Sequence, residues 1–192
     1  MRFFLLLICL SFCLLADNVV NFSDITMGKG KDKTKMFSKN GVLLNENIII
    51  SGFPEELSVS SVEAYNISSL CEIENINMTK ISKIEVSFKD GYPDVNVKCY
   101  NRKDNIFFEK KELSDNIIEV KKYDVNGVLE QRKKINGIYI QYTSFYESGA
   151  VLKEGQYVNS KKDGLWKEFY KDGNIKSITN FKKNKIMSIE KF

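Results

Sequence analysis

The chain repeats a template of aromatic, glycine and aliphatic positions between residues 145 and 185. Each copy carries an aromatic residue four places before a glycine, a branched aliphatic residue two places after it, and a second aromatic residue eight places after it. These positions are Phe145, Val151 and Tyr157 around Gly149, and Phe169, Ile175 and Phe181 around Gly173. A recurrence at a fixed interval indicates a repeat array.

Weaker copies extend the template toward the amino terminus. Gly127 lies 22 residues before Gly149, which in turn lies 24 residues before Gly173. Gly41 also fits, and the match around Gly91 is partial. The repeat is therefore expected to run through most of the chain. The sequence does not determine the exact number of units.

The glycines indicate where the chain turns. Of 11 glycines, eight follow Asn, Asp or Ser: Gly41, Gly52, Gly91, Gly127, Gly137, Gly149, Gly164 and Gly173. Such pairs supply the positive backbone angles of tight hairpin turns, because Gly has no Cβ and Asn or Asp tolerates the left-handed region. Each is a predicted hairpin tip, and Gly127, Gly149, Gly164 and Gly173 are the predicted structural turns of the repeats.

Short segments between these tips are rich in aromatic and β-branched residues, which favour strands. The predicted fold is all-β, an elongated antiparallel β-meander of repeated hairpins, with residues 55–70 as the one stretch that could form a short helix. The three template positions share one parity, so they are expected on one face of the sheet unless a bulge shifts the register.

Four regions are predicted along the chain. Residues 1–16 resemble a signal peptide, since one arginine precedes an unbroken apolar run that ends at Ala16, and this run is too short to span a membrane comfortably. Cys13 would suit a lipoprotein signal, but bulky Phe12 stands where a small residue is usual. Residues 17–40 form a lysine-rich flexible linker, 41–120 a divergent β-region and 121–192 the repeats.

Export would leave Cys71 and Cys99 as the two cysteines of the mature chain. In an oxidising compartment they are most simply a disulfide, and the alternative is two buried thiols in neighbouring strands. No second long apolar run follows the signal, so no transmembrane segment is expected in the mature protein. The predicted location is the periplasm, the cell envelope or the exterior.

Histidine is absent from the chain. A Ser-His-Asp triad, a Cys-His pair and a histidine metal ligand are thereby excluded. The carboxylates fall at turns and at exposed strand positions, so no catalytic group can be assembled from the residues. We therefore expect no enzymatic activity, no cofactor and no metal.

Charge and aromatic residues supply the candidate binding residues. Residues 40–120 carry a net charge of −6 and residues 121–192 a net charge of +7. Lysines at turns usually keep a β-protein soluble, and nucleic acid is not an expected partner; the best candidates for an anion contact are Lys182, Lys183 and Lys185. Tyr146, Trp166 and Tyr170 are candidates for partner contacts, and the alternative is that they pack repeat against repeat.

Residues 123–192 resemble the bacterial variant of the MORN repeat. The residues that carry the resemblance are Gly164, Trp166, Phe169, Tyr170, Asp172, Gly173, Ile175 and Phe181. Similar proteins are commonly assigned to YwqK-type antitoxins of toxin–antitoxin systems, which implies noncatalytic binding of a partner protein. With the signal peptide, this predicts an exported antitoxin-like or immunity factor that binds a toxin or envelope protein. The alternative is an envelope structural module that contacts anionic lipid or glycan.

Overall fold

The computed structural model describes residues 18–29, 35–53, 69–72 and 80–192. A small set of strands precedes the repeats: β1 (Asn18–Asn21), β2 (Ile25–Lys29), β3 (Lys35–Lys39), β4 (Val42–Leu43) and β5 (Glu46–Ser51). Ten longer strands follow: β6 (Ile81–Lys89), β7 (Tyr92–Asn101), β8 (Ile106–Ser114), β9 (Ile117–Tyr123), β10 (Leu129–Asn136), β11 (Tyr139–Phe145), β12 (Val151–Val158), β13 (Lys161–Phe169), β14 (Ile175–Lys182) and β15 (Lys185–Lys191). Two 3-10 turns occupy Phe22–Asp24 and Ser69–Cys71.

Among the described residues, the strands form one twelve-stranded sheet and one three-stranded sheet. The large sheet starts with β1 and β5 and then follows the chain strand by strand from β6 to β15, while β2, β3 and β4 form the small one. All neighbours are antiparallel except β1, which pairs in parallel with β5. The predicted all-β meander of hairpins is confirmed.

The loops that connect the strands at one of their two ends share one backbone geometry. We call this side of the large sheet, where the strands end, the loop edge. In each loop the first residue donates its N–H to the carbonyl four places on, at 2.8–2.9 Å, and accepts from the N–H three places on, at 2.9–3.1 Å. The fourth residue has a positive φ: Asp104 (58°), Gly127 (84°), Gly149 (83°) and Gly173 (89°). These are three-residue loops that end in a left-handed residue, not the two-residue turns expected from the sequence.

Two-residue turns connect the strands at their opposite ends, and we call this side of the sheet the turn edge. Asn159 and Ser160 form one with φ of 49° and 59°, and Lys183 and Asn184 form another with φ of 49° and 71°. Neither contains glycine, which is why the sequence did not reveal them. Gly164 also has a positive φ (76°), but it lies inside β13 and pairs with Phe181. The prediction that Gly164 is a hairpin tip is therefore wrong.

A bulge follows each loop and changes which face a side chain reaches. Phe145 lies directly across from Val151, but the register then shifts by one residue, so that Ser144 pairs with Lys153 and Ile140 with Tyr157. The same shift follows the pairing of Phe169 with Ile175. An extra residue reverses the alternation of side chains. The expectation that all three template positions share one face is therefore wrong: the third lies on the face opposite the first two.

The main hydrophobic core lies in the amino-terminal half of the large sheet. Its most buried side chains come from the central strands and include Ile50, Ile84, Cys99 and Phe108. A disulfide joins Cys71 to Cys99, with their Cα atoms 6.0 Å apart. This bond ties the Ser69–Cys71 turn to β7, so the disulfide predicted from the sequence is confirmed.

Residues 17–40 are not the flexible linker that their lysines suggested, where the structure describes them. Val19 and Val20 pair with Ile49 and Ile50, and Val20 and Ile25 are each only 5% exposed. Branched apolar residues that gain a strand partner are buried in spite of the lysines nearby. The predicted signal peptide and most of the predicted helix near 55–70 lie outside the described residues.

Candidate partner-binding surface

Trp166 is the centre of an aromatic group on one face of the repeats, and we call Tyr142, Tyr157, Trp166 and Phe181 the ring cluster. The Trp166 ring stacks on Tyr142 at 5.7 Å between centroids and meets Tyr157 and Phe181 edge-on at 4.9 and 6.2 Å. Its Nε1–H donates to the carbonyl of Gln156 at 3.1 Å. Trp166 is only 3% exposed, so the prediction that it contacts a partner is wrong and the packing alternative is correct.

Two further contacts hold the indole in place. Gly155, on the neighbouring strand β12, lies directly beneath it, and a Cβ at this position would lie 2.5 Å from Cε2 and 2.6 Å from Cγ. The Lys162 ammonium lies 4.6 Å from the Trp166 centroid and 5.1 Å from that of Phe181. The glycine therefore gives the indole its space, and the lysine covers it with a cation–π contact.

Tyr146 and Tyr170 occupy the first position of consecutive loops at the loop edge. The Tyr146 hydroxyl donates to the carbonyl of Phe169 at 2.8 Å, and the Tyr170 hydroxyl donates to that of Phe192 at 3.5 Å. Asn101 holds the equivalent place and reaches the carbonyl of Val125 at 3.0 Å. Each of these three side chains thus joins its loop to a backbone carbonyl of a later part of the chain. The tyrosines have a structural role, although the Tyr170 side chain is still 44% exposed.

Lys182, Lys183 and Lys185 lie at the turn edge, at the far ends of the strands from the two tyrosines. Lys182 forms an exposed ion pair with Asp163 at 3.3 Å, and the backbone N–H of Lys183 donates to the same carboxylate at 3.3 Å. Lys185 begins β15 and is exposed. The structure therefore does not bring the six candidate partner-binding residues together: the rings lie inside the sheet or at the loop edge, and the lysines at the turn edge.

The face opposite the ring cluster carries a row of charges across the strands, which we call the charge ladder. Direct cross-strand neighbours run from Glu85 to Lys98, Glu109, Lys121 and Arg132. Opposite charges in such positions attract one another, and Lys121 lies 3.8 Å from Glu109. Residues of β5 to β8 line an open groove of about 580 Å³ on this face. Because both carboxylates (Glu85, Glu109) and ammonium groups (Lys83, Lys98) line the groove, it presents no single-charge site.

Two tyrosines border the charge ladder, and their hydroxyls keep their protons. Burial, together with the neighbouring Glu85, raises the pKa of Tyr100 to about 12. Burial and Glu109 raise the pKa of Tyr123 to about 12, and the Tyr123 hydroxyl lies 3.2 Å from the Glu109 carboxylate. At neutral pH both phenols act as hydrogen-bond donors, so neither supplies a tyrosinate nucleophile or base.

A group of exposed apolar residues lies on β15 and directly after it, which sequence reasoning missed. Ile186, Met187 and Ile189 of β15, and Phe192 after it, are each 54–63% exposed. β15 stands at one edge of the twelve-stranded sheet. Nothing in the sequence of this segment shows that its strand has a neighbouring strand on one side only. We call the outer side of β15 the open edge.

The comparisons with known proteins concern these same hairpins. Residues 139–159 and 162–183 each match the family model of the MORN repeat variant. Each matched MORN unit consists of two strands closed by one three-residue loop, β11 with β12 and β13 with β14. MORN repeats are often modules that bind membranes, lipids or proteins. No curated protein and no solved structure matches the chain.

The structure also bears on metals and membranes for the residues it describes. Within residues 18–29, 35–53, 69–72 and 80–192, no group of three or more Cys, Asp or Glu side chains is arranged to hold a metal ion. In the same part of the chain, no helix has the length and apolar character needed to cross a bilayer.

Proposed function

We propose that the protein is an exported, noncatalytic β-repeat module that binds a partner protein. The observation that carries this proposal is the open edge, where Ile186, Met187 and Ile189 are exposed although the ring cluster beside them is packed. Exposed apolar residues grouped at one place commonly mark an interaction surface. The two MORN units hold that surface on a continuous sheet.

Several features support the noncatalytic and exported parts of the proposal. Histidine is absent, and the tyrosines beside the charge ladder keep their protons. The Cys71–Cys99 disulfide suits an oxidising compartment, and the apolar run before Ala16 suits a signal peptide for export. Both fit a mature chain that begins at Asp17.

The resemblance to YwqK-type antitoxins gives the proposal its finer form. In this form the partner is a toxin or an envelope protein, and binding neutralises or anchors it. The test is affinity capture with the mature chain against candidate proteins encoded beside its gene, followed by titration of the purified pair. A saturable one-to-one complex is expected. Failure of every purified candidate to bind would contradict the antitoxin form.

A second candidate is contact with anionic lipid or glycan, favoured by the exposed turn-edge lysines. Lys161, Lys182, Lys183 and Lys185 lie at this edge, where Asp163 pairs with Lys182. Vesicles of phosphatidylglycerol and of phosphatidylcholine, sedimented with the protein at low and high salt, distinguish the two functions. Attachment to the anionic vesicles alone, lost in high salt and on Lys182→Glu with Lys183→Glu, would support the lipid function.

A further inference from the structure

The backbone of β15 has hydrogen-bonding groups available on its outer side. Phe192 donates its N–H to the carbonyl of Lys176 at 3.1 Å, so the backbone groups of Phe192 point toward β14. Successive residues of an antiparallel strand alternate in this respect, so those of Ile189 and Lys191 point away from the sheet. Among the described residues, no strand pairs with this side of β15. An extended chain could therefore add here.

The side chains beside these groups are apolar in the centre of the strand. Ile189 pairs with Thr179, and Ile186 pairs with Phe181. Thr179 in turn pairs with Trp166, so both isoleucines lie on the face that carries the ring cluster. An added strand with apolar residues on that face would cover Ile186 and Ile189 and continue the row of packed side chains by one strand.

The charges at the ends of β15 indicate the character of the added strand. Lys185 and Lys191 are the first and last residues of β15, and both are exposed. Lysines on an edge strand are a known barrier to self-association. An acidic residue at each end of the incoming segment would instead be attracted.

We propose that the open edge binds an extended segment of a partner protein, with alternating apolar residues in its centre and an acidic residue at each end. The segment adds to the sheet as a further strand next to β15. Its backbone pairs with Ile189 and Lys191, and its charged ends meet the two lysines. This inference rests on the proposed function and specifies how the partner is held.

The first experiment uses the mature chain with a synthetic probe, the peptide Asp-Thr-Val-Thr-Val-Asp, and a counterpart with lysine at both ends. Its two valines would lie opposite Ile189 and Ile186, because the bulge at Met187 removes one position from the pairing. Binding is measured by fluorescence polarisation. The acid-ended peptide is expected to bind about tenfold more tightly, because two attractive end contacts replace two repulsive ones. In hydrogen exchange, the Ile189 and Lys191 amides should become protected when the acid-ended peptide is bound.

Variants locate the binding on the chain. Ile189→Pro removes one outward N–H and should abolish peptide binding. Ile189→Lys should weaken it strongly, whereas Leu165→Lys is the matched control, because Leu165 is similarly exposed (59%) but lies on β13 inside the sheet. The control should bind within about twofold of the natural chain. The fluorescence of Trp166 in the ring cluster reports whether each variant is folded.

Three results would overturn the inference: equal binding of both peptides, unchanged exchange at Ile189 and Lys191, or a dimer of the mature chain that Ile189→Pro dissolves. The dimer would mean that a second copy occupies the open edge. Two further outcomes distinguish a failure of this inference from a failure of the proposed function. Capture of a partner protein that survives Ile189→Pro contradicts strand addition alone. Peptide binding by a chain that captures no candidate protein contradicts the proposed function alone.

Discussion

Replacing Gly155 by alanine tests the packing of the ring cluster most directly. Gly155 lies in an extended strand and its φ is not positive, so alanine causes no backbone strain there. The added methyl would nevertheless lie 2.5 Å from Trp166 Cε2, 2.6 Å from Cγ and closer still to Cδ2. The indole ring is rigid and held on several sides, so it cannot yield by a small rotation.

The cost follows from what the indole would lose. Forcing one carbon into a packed site costs about 1–3 kcal/mol. Displacement of the ring would also weaken the hydrogen bond from Trp166 Nε1 to the Gln156 carbonyl, which contributes about 1 kcal/mol, and its contacts with neighbouring rings, which contribute about 0.5–1.5 kcal/mol each. We expect Gly155→Ala to lower the free energy of unfolding by about 2–4 kcal/mol.

Urea unfolding followed by far-ultraviolet circular dichroism measures this change, because it does not depend on the tryptophan signal. Trp166 is the one tryptophan of the chain, and its emission should shift to longer wavelength if the indole moves toward water. Gly28→Ala is the matched control: Gly28 also lies in a strand without a positive φ, and a Cβ added there would meet no neighbouring atom within 4 Å. The control should change stability by less than about 0.5 kcal/mol.

A double-mutant cycle identifies the clash as the cause. In a Trp166→Ala background the space above residue 155 is empty, so Gly155→Ala should cost much less than it does in the natural chain. Equal costs in the two backgrounds would show that the glycine is needed for another reason. Unchanged stability of Gly155→Ala, with an unshifted emission spectrum, would refute the packing argument altogether.

Three further predictions concern the loops, the disulfide and the buried phenols. Gly173→Val should lower stability by more than about 1 kcal/mol in thermal unfolding, because φ at Gly173 is 89°, and an unchanged midpoint would contradict the loop geometry. Replacing Cys71 and Cys99 together by alanine should cost roughly 2–4 kcal/mol in urea, and added reductant should affect the natural chain alone. Tyr100 and Tyr123 have pKa values raised to about 12 in the folded protein, so their contribution to stability is complete below pH 10 and is lost as pH rises toward 12. The doubly Phe-substituted chain should lose less stability than the natural one over that interval, and parallel pH profiles would contradict the assignment.

Much of the local structure could be predicted from residue types. The spacing of Gly127, Gly149 and Gly173 locates the loops, because few residues other than glycine adopt a positive φ without strain. Asp104 takes the same conformation at the equivalent place and was not recognised, since an aspartate is compatible with many other conformations. The disulfide was predicted because only two cysteines remain after the signal. Export and the lack of catalysis stay predictions.

The candidate site was predicted less well, because exposure depends on neighbours far away in the sequence. The sequence left Trp166 open between a partner contact and packing of repeat against repeat. The indole is buried by rings on three other strands, and Gly155 leaves the space that it occupies. The sequence left Tyr146 and Tyr170 as candidates for partner contacts or for packing, and their hydroxyls donate to the carbonyls of Phe169 and Phe192. No sequence pattern marks Ile189 as exposed. It is exposed because β15 is the last strand of the large sheet.

The sequence by itself determined that this chain forms strands, where most of its hairpins reverse and which residues repeat. These properties depend on backbone preferences and side-chain alternation over a few residues. Only the tertiary structure decided which face each ring reaches, which glycine makes room for Trp166 and which strand keeps an open edge. Each of these depends on cross-strand register, and a single-residue bulge after a loop is enough to move a side chain from one face to the other.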